Sequence, residues 1–226
     1  MEKISIGKLI DFRRKSDKTR LTFVNNINKG EVNSLDDGGG GDYWVSCVSA
    51  INRIFKTDDT GFIEEKINYL YNKINETEDL KTKNRFQKNI DILHVFEDFD
   101  YKHLKPSNDL NFLKNSNSKS LITINGISIE LKPTHIFTYN NLDFKEIGAV
   151  WFIVKKDGFK NGELGMFCDI MYRYLNATYS DKFKVNPENC IAVDLFNGYD
   201  VNYSQIIKNE IPLLLDNTIN DLKKLL

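Results

Sequence analysis

With 226 residues, 41% of them hydrophobic and 28% charged, the chain is long enough to bury a sizeable core and too apolar for wholesale disorder. Its formal net charge of −1 provides no global field for nucleic acid or an anionic membrane, so either partner would need a local patch. No apolar run approaches the roughly 20 residues of a membrane span, and charges interrupt the first residues where a signal peptide would be apolar. The expectation is a cytoplasmic protein without membrane contact. Cys47, Cys168 and Cys190 are odd in number and lack metal-type spacing, which fits buried reduced thiols.

In chain order, Ile4, Leu9, Ile10 and Phe12 suit a short first helix, continued through Leu21 to Ile27. Residues 1–30 are locally basic, with eight Lys or Arg against three acids, a charge of +5. Arg13, Arg14, Lys15, Lys18 and Arg20 are the candidate nucleic-acid contacts there, because clustered cations pair with phosphates. A solvated helix face is the plainer reading of the same cluster. Residues 33–42, with four consecutive glycines, read as a linker or mobile flap. They lack the GK[ST] ending and the preceding strand of a phosphate-binding loop.

Asp42 is placed to cap the next helix. Trp44, Cys47, Val48, Ile51, Ile54 and Phe55 repeat at helical spacing, as do Phe62, Ile63, Ile67, Leu70, Tyr71 and Ile74, and then Phe86, Ile90, Leu93 and Phe96. Three amphipathic helices follow, most simply packed antiparallel. His94 and His103 have no metal-spaced partner and read as structural.

After a polar turn at residues 115–119 the period changes. Asn125-Gly126 between two apolar runs predicts a β-hairpin. Residues 135–139 form a further strand, and the continuous apolar run 149–154 predicts a central strand buried on both faces. Leu164, Phe167, Cys168, Met171, Tyr172 and Leu175 mark a helix, and residues 189–196 a last buried strand. Residues 211–226 read as a terminal helix with Pro212 in its first turn.

Residues 119–196 resemble the core of the PD-(D/E)XK nuclease superfamily in its RecB-like and Cas4-like form. The resemblance rests on the hairpin leading to Lys132-Pro133-Thr134, the strand ending in Lys155, the helix and the following strand. It implies an α/β fold with a mixed central β-sheet, flanking helices and a restriction-endonuclease-like core. A mainly helical region, residues 1–114, is expected to pack on the core at residues 115–226 as one compact unit. In active members two acids hold a divalent metal that activates water, and the lysine stabilises charge. Here those acid positions fall on Thr134 and Ile153, while Lys155 keeps the lysine position and Tyr172 faintly echoes the helix motif.

The resemblance therefore points to a degenerate scaffold, without catalysis, that binds nucleic acid (DNA or RNA) or a protein. No cofactor is expected on that reading. The alternative is a divergent Mg²⁺-dependent nuclease using Glu130, Glu163 or Asp169 together with Lys155, with Asp194 on the last strand a further relocated acid. A third reading is a plain interaction or oligomeric module, suggested by fifteen Phe, ten Tyr and two Trp. A Cys–His pair, Cys168 or Cys190 with His135, is formally available, but apolar settings argue against a thiolate. G-x-S-x-G, Rossmann, H-E-x-x-H and C-x-x-C signatures are absent.

Overall fold

A computed structural model describes residues 3–28, 43–107, 109–113, 120–141 and 144–226. The expected glycine-rich linker, the Asp42 cap and the turn at residues 115–119 lie outside the described residues. Among those described, the fold is mixed α/β with eight helices and two mixed sheets.

The chain opens with β1 (Ile4–Ser5), α1 (Ile6–Arg14) and α2 (Asp17–Asn28). Ser5 ends the strand and caps α1, its hydroxyl accepting from the Lys8 amide at 3.3 Å. The first helix does not run on through Leu21 as the periodicity suggested. Lys15 is extended, and a separate helix begins beyond Ser16.

Next come α3 (Val45–Thr57), α4 (Gly61–Glu76) and α5 (Leu80–Glu97), the three helices expected from their apolar spacing. Trp44 sits at the start of α3. The strands follow: β2 (Asn111–Phe112), β3 (Ser120–Ile124), β4 (Ile127–Leu131), β5 (His135–Asn141) and β6 (Phe144–Ile153). Then α6 (Asn161–Tyr179) leads to β7 (Lys184–Asp194), β8 (Tyr199–Asn202), α7 (Tyr203–Ile207) and α8 (Leu215–Lys223). The terminal helix begins at Leu215, later than expected, so Pro212 precedes α8 and is not part of its first turn.

The main sheet has the order β2-β5-β6-β7-β8. Only β6 and β7 are parallel in it, joined through α6, as parallel neighbours require a crossover. The predicted hairpin is present, with Asn125 and Gly126 both at positive φ, but β3 and β4 belong to a second sheet, β1-β4-β3. There β1 pairs in parallel with β4, a pairing that two residues of sequence could not signal.

Side chains alternate across β6 and β7. Ile147, Ala149, Cys190 and Ala192 face a core completed by α1, α6, α8 and the small sheet. Val150, Phe152, Ile191 and Val193 face a second core built by α3, α4 and α5. Phe55 anchors that second layer, its ring 5.3 Å from Phe152 and 5.6 Å from His135. The β6–β7 ladder slips between Ile147 and Ala149. A Cβ on Gly148 would come within 2.6 Å of Asn189, so only glycine lets the two strands approach there. At the same irregularity the buried Glu146 accepts from the Tyr139 hydroxyl at 2.5 Å and the Asn186 amide at 2.8 Å.

Candidate functional site

Lys155, Asp194 and Glu163 come from three elements to the connection where β6 leaves the sheet and α6 begins. Thr134, just before β5, accepts a hydrogen bond from the Phe152 amide at 2.9 Å. Ile153 pairs with Asp194 across the parallel ladder. Thr134, Ile153 and Lys155 therefore share one end of the sheet, and the first two carry a hydroxyl and an alkyl group. Lys155 meets a carboxylate from a part of the sequence that gave no hint of it: its Nζ lies 2.8 Å from Asp11 on α1, both side chains largely buried.

The connection from Lys155 to Lys160 is tightly pinned. Asp157 and Gly158 have φ of 68° and 66°, and a Cβ on Gly158 would fall 1.9 Å from the Asn197 amide nitrogen. Asp194 is fully buried. It accepts from the Phe159 amide at 2.8 Å, the Phe196 amide at 2.9 Å and the Asn197 side chain at 2.8 Å. The Tyr199 hydroxyl donates to the Phe159 carbonyl. Asp194 thus organises a turn, and its oxygens are already engaged by donors.

Glu163 lies in the first turn of α6, where a carboxylate complements the helix dipole. It accepts from the Lys160 amide at 2.9 Å and from Arg14 through both oxygens, at 2.7 and 2.5 Å. Arg14 also donates to the Gly158 carbonyl at 2.9 Å. Burial pushes the Glu163 carboxyl up, but the Arg14 guanidinium and the Lys160 amide outweigh it, holding Glu163 below its ordinary value.

Glu163 is drawn to Arg14. Asp169 is buried and bound bidentately by Arg173, at 2.8 and 3.1 Å, while Arg173 reaches Asp216 on α8 at 2.9 and 2.7 Å. Burial raises the Asp169 carboxyl despite that partner. Glu130 stands on β4 of the small sheet, with Lys132 at 3.2 Å. The structure thus gives each expected acid a different partner, and Lys155 is paired with Asp11. Among the described residues, no group of three or more His, Cys, Asp or Glu converges as a metal-ligand set. Tyr172 stacks on Tyr203 at 4.1 Å.

The Cys–His pair is separated by the sheet. His135 stacks on Phe55 on one side, while Cys168 and Cys190 are buried in the core of the other. Burial pushes both thiols up and lowers His135 to about 4.

The N-terminal cations do gather, with companions the sequence did not suggest. A hollow of 770 Å³ between α1 and α8 is lined by Arg13, Asn217, Asn220, Asp221, Lys223 and Lys224. A second, of 480 Å³, adjoins it through Arg13 and includes Arg14, Arg20, Lys160 and Glu163. Together they present six cationic side chains and two acids, in a chain whose formal charge is −1. Both acids are already paired, Glu163 with Arg14 and Asp221 with Lys224 at 2.9 Å. Arg20 is braced by Asp17 at 3.0 Å and by the Arg13 carbonyl at 3.2 Å. Lys15 and Lys18 do not line either hollow. Lys15 lies 5.2 Å over the Phe23 ring, and Lys18 is exposed on α2.

Lys160, Lys223 and Lys224 escaped the sequence reading because each is one of many scattered lysines. Only the packing of α8 and the start of α6 beside α1 makes them neighbours. Among the described residues, no helix is long and apolar enough to cross a membrane. Comparison with protein-family models, curated proteins and solved structures returned no match.

Proposed function

We propose that this protein binds nucleic acid through the paired hollows of α1, α6 and α8 and does not hydrolyse it. The observation that carries this reading is the gathering of Arg13, Arg14, Arg20, Lys160, Lys223 and Lys224 in adjoining concavities of a chain with no net positive charge. Phosphates seated there release condensed counterions, which is the main source of sequence-independent affinity.

The scaffold reading is a degenerate restriction-endonuclease-like core. Its support is the succession β5, β6, α6, β7, with β6 and β7 parallel and Lys155 just beyond β6. The hairpin, which the resemblance counts with those strands, lies in the separate small sheet. The non-catalytic part rests on Thr134 and Ile153 at the acid positions and on the Asp11 partner of Lys155.

Fluorescence anisotropy with labelled DNA and RNA tests binding. The expected result is an affinity that falls steeply with salt and is lost in Arg13→Glu/Lys223→Glu. A parallel incubation with Mg²⁺ or Mn²⁺ should leave both nucleic acids intact. Metal-dependent cleavage would instead favour the divergent nuclease.

A further inference from the structure

On the other side of the Lys155–Lys160 connection lies an apolar cleft of 340 Å³, with Trp44, Ile92, Val95 and Phe196 among its walls. Lys88, Lys156, Asp91 and Asp157 stand at its edge. We propose that this cleft receives one base of a single-stranded nucleic acid whose phosphates run through the basic hollows. This inference rests on the nucleic-acid reading above and adds the form of the substrate.

Four observations support it. First, two aromatic residues wall the cleft, the Trp44 ring packed on its neighbour and Phe196 anchored through its backbone. Trp44 packs edge-on against Tyr43 at 4.7 Å, with Lys88 lying 5.9 Å over the Tyr43 ring. The Phe196 amide is fixed by buried Asp194 at 2.9 Å. Second, Phe196 is 37% exposed, a large apolar ring at the surface. Third, cleft and hollow border the same connection: Lys156 and Asp157 line one, and Lys160 lines the other. At the reach of an extended chain the Cα atoms of Lys156 and Lys160 are at most about 14 Å apart. Arg14, which lines the hollow, donates to the Gly158 carbonyl of the same connection at 2.9 Å. Fourth, the chemistry is complementary: a flat apolar face stacks on aromatic walls, and although Asp91 and Asp157 balance Lys88 and Lys156 at the cleft itself, the following phosphate meets the cationic excess at Lys160 and Arg14.

A duplex does not offer such a base, because extrusion costs unpairing and unstacking. A single strand offers it freely.

The test compares a fluorescein-labelled mixed-sequence single strand with its duplex, as DNA and as RNA, at one fixed salt concentration. Phe196→Ala should weaken single-strand binding about tenfold, the scale of one lost stacking contact, and leave duplex binding unchanged. Phe196→Tyr, which keeps the ring, should restore it. In a Trp151→Phe background, an unlabelled single strand should quench the fluorescence of Trp44. Single-strand binding by Phe196→Ala equal to that of the unsubstituted protein would overturn the proposal while leaving the nucleic-acid reading intact. Failure of the unsubstituted protein to bind any strand or duplex would overturn both.

Discussion

Arg14 lines the basic hollow and also neutralises a buried carboxylate, so its removal conflates binding with stability. Arg13 separates the two. It lines both hollows, and among the described residues its guanidinium makes one hydrogen bond, a long 3.5 Å contact with Thr218. Arg13→Ala should weaken nucleic-acid binding uniformly across sequences and lower the salt slope by about one, as anisotropy titrations at several salt concentrations would register. Two other side chains contribute to the response to acid in separate windows. His135 is lowered to about 4 from 6.5, chiefly by burial. A base whose folded pKa is depressed contributes stability above its unfolded value, lost as pH falls from 6.5 toward about 4. Glu163, also held below its ordinary value, contributes stability that is lost only further into acid, below about pH 4.3. Urea midpoints across this range should show His135→Gln flattening the upper window and Glu163→Gln the lower. The residue types at this site were legible in the sequence, but their partners were not. Asp11, Arg14, Lys155 and Glu163 meet only because α1 packs beside the start of α6, and no local pattern encodes such a long-range ion pair.

At the scale of elements, what could be read was what repeats. The helices α3, α4 and α5 announce themselves by apolar residues at three- and four-residue steps, and β6 by an unbroken apolar run. The Asn125-Gly126 turn was equally plain, since both positions need positive φ. The strands β1, β2 and β8, of two to four residues, carry too few side chains for any period to show. The sheet each strand joins was also hidden: the hairpin belongs to the small sheet and not to the one that holds β5, β6 and β7. Two elements are open to direct test. Phe55 holds α3 onto the sheet through Phe137, Phe152 and His135. Phe55→Ala should cost about 4 kcal/mol in chemical denaturation. The β6–α6 connection requires Gly158, with its φ of 66° and a Cβ position blocked by Asn197. Gly158→Ala should cost about 2 kcal/mol and weaken nucleic-acid binding, since the displaced turn carries Lys156 and Lys160. An unchanged affinity in that variant would mean the connection does not shape the binding surface.

For the molecule as a whole, the main sheet divides two cores, with α3–α5 on one face and α1, α6 and α8 on the other. The cations gather on the second side, where the termini of the described chain are brought together: α1 comes from its beginning and α8 from its end. On the proposed reading, a chain of net charge −1 with two adjoining basic hollows should engage a polyanion locally and release it readily as salt rises. The most direct measurement is the affinity for nucleic acid across a series of salt concentrations, for the unsubstituted protein and Arg13→Glu/Lys223→Glu. The account predicts a linear fall of log affinity against log salt with a slope between about −3 and −5, and loss of binding in the double variant at every concentration. A slope near zero, or equal binding by the double variant, would contradict it.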